Sequence, residues 1–121
     1  MAASEQPTTG AGTPRLTVML CRDCCCGSAS KHPATDHAAQ RAAIEDLATD
    51  DVRVRTVDCL DECDRSNVVL VRDHRLPRRE RDTWVGGVLE PRLTQALCDW
   101  VEDGGPLPAA LRARQFRMVR R

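Results

Sequence analysis

The chain has 121 residues, and 18 Lys plus Arg balance 18 Asp plus Glu, so its formal net charge is zero. That length suits one domain and argues against two, and neutrality removes the long-range positive field of general nucleic-acid binders. No stretch approaches the ~18 apolar residues of a membrane span, which leaves a small domain with an excess of cysteines, seven against three aromatics.

Residues 1–14 are small, polar and rich in Gly, Pro and Thr; they cannot bury enough to offset ordering and are expected to be a disordered tail. Leu16 to Leu20 reads as a buried strand running into Cys21. Residues 22–35 form a loop holding Cys24, Cys25, Cys26, Gly27 and Pro33. A helix follows from about Asp36 to Ala48, capped by Thr35 or Asp36, with Ala38, Ala39, Ala42, Ala43, Ile44 and Leu47 on its apolar face. Val52 to Val57 alternates in polarity, as a strand with one wet face does, and delivers the chain to Cys59.

After Cys63 comes Asn67 to Arg72, apolar on both faces and therefore expected to be a central strand. A charged connection, 73–82, leads to a return strand over Thr83–Leu89, where Gly86 and Gly87 suggest a bulge. Pro91 opens a last helix whose stripe is Leu93, Leu97, Trp100 and Val101, and Gly104-Gly105-Pro106 stops it. Residues 105–121, rich in arginine, are expected to be a weakly ordered tail, which bounds the domain at 15–104. The element order is strand, helix, strand, strand, strand, helix. A helical crossover joins a parallel pair and a hairpin adds antiparallel strands. This predicts an α/β domain of thioredoxin-like type, a mixed four-stranded sheet with two main helices.

The cysteines admit a disulfide framework, a metal site or redox thiols. The N-terminus has neither a basic nor an apolar leader region, so the expected compartment is the reducing cytoplasm, where structural disulfides are rare. An odd count of seven also fits a bridged scaffold poorly. Two clusters sit at matching places: Cys21 to Cys26 follows the first strand, and Cys59-Leu-Asp-Glu-Cys63 follows the second. If those strands are parallel neighbours, both clusters emerge at one edge of the sheet, where such sheets bind their ligands. Thiolates gathered together repel unless a metal centre neutralises them. Cys21 and Cys26 are far enough apart for a loop to present both sulfurs to one metal ion. Cys59 and Cys63 are i and i+4, so one turn places both on one side. Gly27 lets backbone N–H groups approach the sulfurs. Zinc and iron–sulfur both fit this spacing, zinc through Cys21-x2-Cys24 with Cys59-x3-Cys63.

Cys21-Arg-Asp-Cys-Cys-Cys26-Gly, followed by Cys59-Leu-Asp-Glu-Cys63-Asp-Arg-Ser-Asn-Val-Val-Leu-Val, resembles the thioredoxin-like [2Fe-2S] ferredoxins. The pattern is similar to the ferredoxin-like small subunit of respiratory NADH dehydrogenase and to small stand-alone actinobacterial ferredoxin-domain proteins. The resemblance covers roughly residues 16–103 and implies one [2Fe-2S] cluster held by Cys21, Cys26, Cys59 and Cys63. It further implies a one-electron carrier, not an enzyme, that works with a redox partner protein, a reductase or oxidoreductase. Asp61 stands where the family has glycine, and Ser66-Asn67 where the respiratory subunits tend to have Ala-Pro. Cys24 or Cys25 could replace Cys26 in the first pair. A tetrathiolate zinc module and a thiol-redox protein of the same fold are the alternatives.

Cys98, near the last helix's apolar stripe, is expected to be a core thiol. His32 and His37 flank the helix start, where hydrogen bonding or capping is the expected role, and His74 is expected in a solvated loop. Asp58, Asp61, Glu62 and Asp64 make either a solvated turn or an acidic rim for a basic partner patch. With aromatics so scarce the basic tail has no base-stacking platform, so neither nucleic acid nor membrane is expected as a partner; homodimerisation is left open. No Ser/His/Asp set, phosphate loop or paired carboxylate indicates catalysis.

Overall fold

The structure is a computed structural model that describes residues 14–21, 32–57 and 67–116. Strand β1 (Leu16–Cys21) is followed by helix α1 (His37–Glu45), strand β2 (Val52–Val57), strand β3 (Val69–Asp73) and, after a short 3₁₀ turn, strand β4 (Asp82–Val85). Helix α2 (Pro91–Asp103), the one-turn helix α3 (Ala109–Arg112) and the two-residue strand β5 (Gln115–Phe116) complete the order. The sheet runs β2-β1-β3-β4-β5. β1 pairs parallel with β2 across the α1 crossover and antiparallel with β3, and β4 and β5 add by antiparallel pairing. The expected mixed sheet is therefore present, widened by a short fifth strand.

Local chemistry sets the boundaries. Asp36 caps α1, its carboxylate accepting from the Ala39 amide at 2.9 Å. The helix stops at Glu45, before the expected Ala48. Beyond it the Thr49 hydroxyl accepts from the Asp51 and Val52 amides (3.1 and 3.0 Å) and turns the chain into β2. Pro91 occupies the first turn of α2, and Gly104 ends it with φ 76°. The strand expected over 83–89 leaves the sheet at Val85. Gly87 takes a left-handed φ of 61°, the Gly86 amide donates to the Arg114 carbonyl (3.0 Å), and the Val88 amide donates to the Asn67 carbonyl (3.0 Å).

One face of the sheet carries Leu16, Val18, Leu20, Val69, Val71 and Val85, and α1 and α2 cover it with Ile44, Leu93, Leu97 and Val101. Leu111 of α3 joins this core and is fully buried. The segment 109–116, expected as part of a weakly ordered tail, thus extends the fold beyond residue 104: Leu111 inserts into the core and Phe116 pairs in register with Trp84. One leucine at the head of an arginine-rich stretch hides a core contact from a composition reading. The remaining arginines of that tail, Arg117, Arg120 and Arg121, and the expected N-terminal tail up to residue 13 lie outside the described residues. No helix among the described residues is long and apolar enough to cross a membrane.

Candidate metal centre

β1 ends at Cys21, and the register sets it directly beside Val57, the last residue of β2. On its other flank the Cys21 amide donates to the Val68 carbonyl at 3.2 Å, just before β3. The chain thus leaves the sheet at Cys21 and at Val57 from adjacent strands, and comes back from the second excursion at Asn67-Val68, again next to Cys21. Both cysteine-bearing segments depart from one edge, at the carboxyl ends of the parallel pair, the usual ligand crevice of an α/β sheet. Cys24, Cys25, Cys26, Cys59 and Cys63 lie outside the described residues, as do Asp58, Asp61, Glu62 and Asp64. Of the four ligands implied by resemblance, the structure places Cys21 alone, and among the described residues no group of three or more potential ligands converges.

Cys21 is 2% exposed. Alternation along β1 turns it away from the core that holds Leu20 and into a second apolar cluster with Val68, floored by Trp84 and Phe116. Those two rings pack at 5.8 Å between centroids with a tilt of 49°, within the range for a favourable aromatic pair. A cysteine sulfur at the lip of a sheet, shielded below by aromatic rings, suits an iron–sulfur or zinc centre: shielding limits solvent access, and a bound metal would stabilise the sulfur as a thiolate ligand. Cys21, with cysteines from the two segments that start beside it, would hold such a group. A [2Fe-2S] cluster, when bound, supplies reversible one-electron chemistry.

Behind the edge lies a buried polar chain that the sequence reading did not find. Asn67 is fully buried, Gln40 is 4% exposed and Thr94 7%. Gln40 Nε2 donates to the Val88 carbonyl at 2.7 Å and to Thr94 Oγ at 3.0 Å. Asn67 Nδ2 donates to Gln40 Oε1 at 3.0 Å and to His37 Nδ1 at 3.1 Å. His37 Nε2 in turn donates to the His32 carbonyl at 3.1 Å, and the two histidine rings stand 6.5 Å apart. His37 therefore hydrogen-bonds, as expected, but to Asn67 and the backbone. Two signals were present in the sequence. Gln40 precedes Ile44 by four residues and Leu47 by seven, and Thr94 precedes Leu97, Cys98 and Val101 at helical spacing. Each is a polar residue on an apolar helix face.

Two expected bystanders are placed elsewhere. Cys98 is 8% exposed on α2, its thiol donating to the Ala43 carbonyl at 3.7 Å. Burial pushes that thiol's pKa up, with Glu102, Asp99 and Asp46 adding to the rise. His74 is at the far end of the sheet, bonded through Nε2 to Thr17 Oγ at 2.8 Å. Burial, then Arg81, Arg72 and Arg53, pushes its pKa down. A groove there of about 550 Å³, lined by Arg15, Asp51, His74, Arg75 and Arg81, is remote from Cys21. Its Arg15 and Arg75 are already paired, with Asp51 and Asp73.

No protein-family model and no curated protein matches the chain. Among solved structures, a thioredoxin-like [2Fe-2S] ferredoxin from Aquifex aeolicus superposes on it with a TM-score of 0.51, covering 81% of this chain and 88% of that one at 19% identity. The fold is thioredoxin-like. In this thioredoxin-like domain the α1 crossover and the β3–β4 hairpin do what the element order required. They bring the ends of β1 and β2 side by side and back them with a buried polar layer.

Proposed function

We propose that the chain is a one-electron carrier that binds one [2Fe-2S] cluster through Cys21, Cys26, Cys59 and Cys63. The observation that carries this reading is the pairing of Cys21 with Val57 and of its amide with Val68. Both cysteine-bearing segments are thereby anchored at adjacent strand ends. The likeness of the fold to a [2Fe-2S] ferredoxin adds support. The cluster would take one electron from a reductase and release it to an oxidoreductase, with no bond made or broken in the protein. Partner docking would use the surface around the cysteine edge.

The test is metal, sulfide and spectral analysis of protein purified without oxygen. The expected result is a red-brown protein with two irons and two sulfides per chain, bleached by dithionite and giving a paramagnetic signal when reduced. A colourless protein with one zinc per chain would overturn it in favour of the zinc module. Metal-free protein active in disulfide reduction would do so in favour of thiol chemistry. Cys59→Ser and Cys63→Ser should each abolish or reshape the spectrum. A silent Cys26→Ser beside an altered Cys25→Ser would reassign the first pair.

A further inference from the structure

The buried chain runs between two backbone carbonyls, and its proton placement is determined at both ends. The Val88 carbonyl can only accept, so the atom of Gln40 facing it at 2.7 Å must be the amide nitrogen. Gln40 Oε1 can only accept and lies 3.0 Å from the Asn67 amide, so Asn67 presents its nitrogen there, and that nitrogen also lies 3.1 Å from His37 Nδ1. An accepting Nδ1 leaves the proton on Nε2, where it meets the His32 carbonyl. Flipping either amide would set two acceptors face to face, so the arrangement is self-consistent in one sense only.

What the chain joins is specific. His32 closes the first cysteine-bearing segment, 22–31, and Asn67 closes the second, 58–66. Both closures are fastened to the first turn of α1 and, through the Val88 carbonyl and amide, to the connection between β4 and α2. We propose that His37, Asn67 and Gln40 are positioning residues that hold the closing ends of the two cysteine-bearing segments in fixed relation and thereby tune the potential and retention of the cluster. This rests on the [2Fe-2S] reading above. The potential of such a cluster depends on hydrogen bonding and solvent access at its sulfurs, so fixing the closing ends of the segments that carry its ligands would bear on both. Hydrogen bonds to sulfur favour the reduced, more negative state, and loosening the pins would therefore disfavour reduction.

The experiment compares wild type, His37→Ala, His37→Asn and Val101→Ala, purified without oxygen as the full iron-loaded chain. Two readouts are taken: the bleaching rate on addition of a chelator, and the reduced fraction at a fixed ambient potential. His37→Ala should bleach at least tenfold faster, and its ratio of reduced to oxidised cluster should fall at least threefold. His37→Asn, whose side-chain oxygen can stand where Nδ1 accepts from Asn67 but which has no donor to reach the His32 carbonyl, should keep one of the two pins and fall between wild type and His37→Ala on both readouts. Val101→Ala, a core truncation in α2 away from the chain, should lower the urea midpoint but leave both readouts near wild type. If His37→Ala does not fold, Asn67→Asp, which keeps the shape and replaces the donors by acceptors, should show the same losses. His37→Ala or Asn67→Asp indistinguishable from wild type, or Val101→Ala moving the potential equally, would overturn the positioning role while leaving the cluster reading intact. Wild type that binds no iron would overturn both.

Discussion

The C-terminal segment offers the sharpest quantitative test of the fold. Leu111 is fully buried in the main core although it sits in a stretch whose composition reads as an arginine-rich tail. Leu111→Ala deletes three buried carbons, worth about 2.4 kcal/mol at ~0.8 kcal/mol each in lost transfer free energy. The cavity left behind raises the expected loss toward about 5 kcal/mol, depending on how far α3 settles onto α2. In a tail the same substitution would stay within about 0.5 kcal/mol. Urea unfolding of the full chain, followed by the fluorescence of Trp84 and Trp100, separates the two. The midpoint should fall while the slope stays constant, and the melting temperature should drop by more than about 10 °C. A loss under about 1 kcal/mol would refute the docking of α3 and, with it, the pairing that brings Phe116 onto Trp84.

Cys98 should resist alkylation in the native protein at neutral pH and react on unfolding, since burial raises its pKa; Cys98→Ser should leave the visible spectrum unchanged, as mass-resolved labelling and absorption will show. The pKa of His74 is depressed below 6.5, chiefly by burial. Below that pH the unfolded chain therefore binds the proton more readily than the folded one. The stability from neutral His74 is full above about pH 6.5 and is lost as pH falls through the folded-state pKa. His74→Gln should remove that acid limb in urea midpoints measured from pH 8 down to about pH 5. Gly87→Ala should lose about 1–2 kcal/mol in the same assay, because φ is 61°; the Arg114 guanidinium, 3.0 Å from the new Cβ, ends a flexible side chain and can move aside.

The strand and helix order was legible because the signals were local: the alternation in Val52–Val57, the apolar run at Val68–Val71, Pro91 and Gly104 at the two ends of α2. The neighbouring placement of Cys21 and Val57 followed from one topological rule, that a helical crossover joins parallel strands. Contacts set by partners distant in the chain were not legible. Asn67 reads as the first residue of an apolar strand until Gln40 and His37 are seen against it, 27 and 30 positions away. The turn at Gly86-Gly87 reads as a bulge within a strand because the group that ends the strand, the Arg114 carbonyl, lies in a segment whose composition suggests a tail. Boundaries and polar networks depend on long-range partners; periodicity does not.

The segment Gly86–Leu89 ties these features into one mechanical unit. On one side the Gly86 amide bonds the Arg114 carbonyl, the chain's way from Leu111 to Phe116. On the other, Val88 gives its amide to the Asn67 carbonyl and takes Gln40 Nε2 on its own carbonyl. The aromatic floor beneath Cys21 obeys the same constraint, since Phe116 reaches Trp84 only if Gln115 pairs with Val85 at the end of β4. A domain of this size is expected to unfold as a single cooperative unit. With three aromatics in the whole chain, it has little redundant core to isolate one edge from another. Perturbation of the C-terminal segment should therefore be transmitted to the cysteine edge through two routes, the Trp84–Phe116 floor and the Val88–Gln40–Asn67 chain. Val101, buried in α2, belongs to neither. That makes Val101→Ala a usable control: it removes buried apolar contacts from the shared core while leaving every hydrogen bond of the polar chain and both rings of the aromatic floor in place.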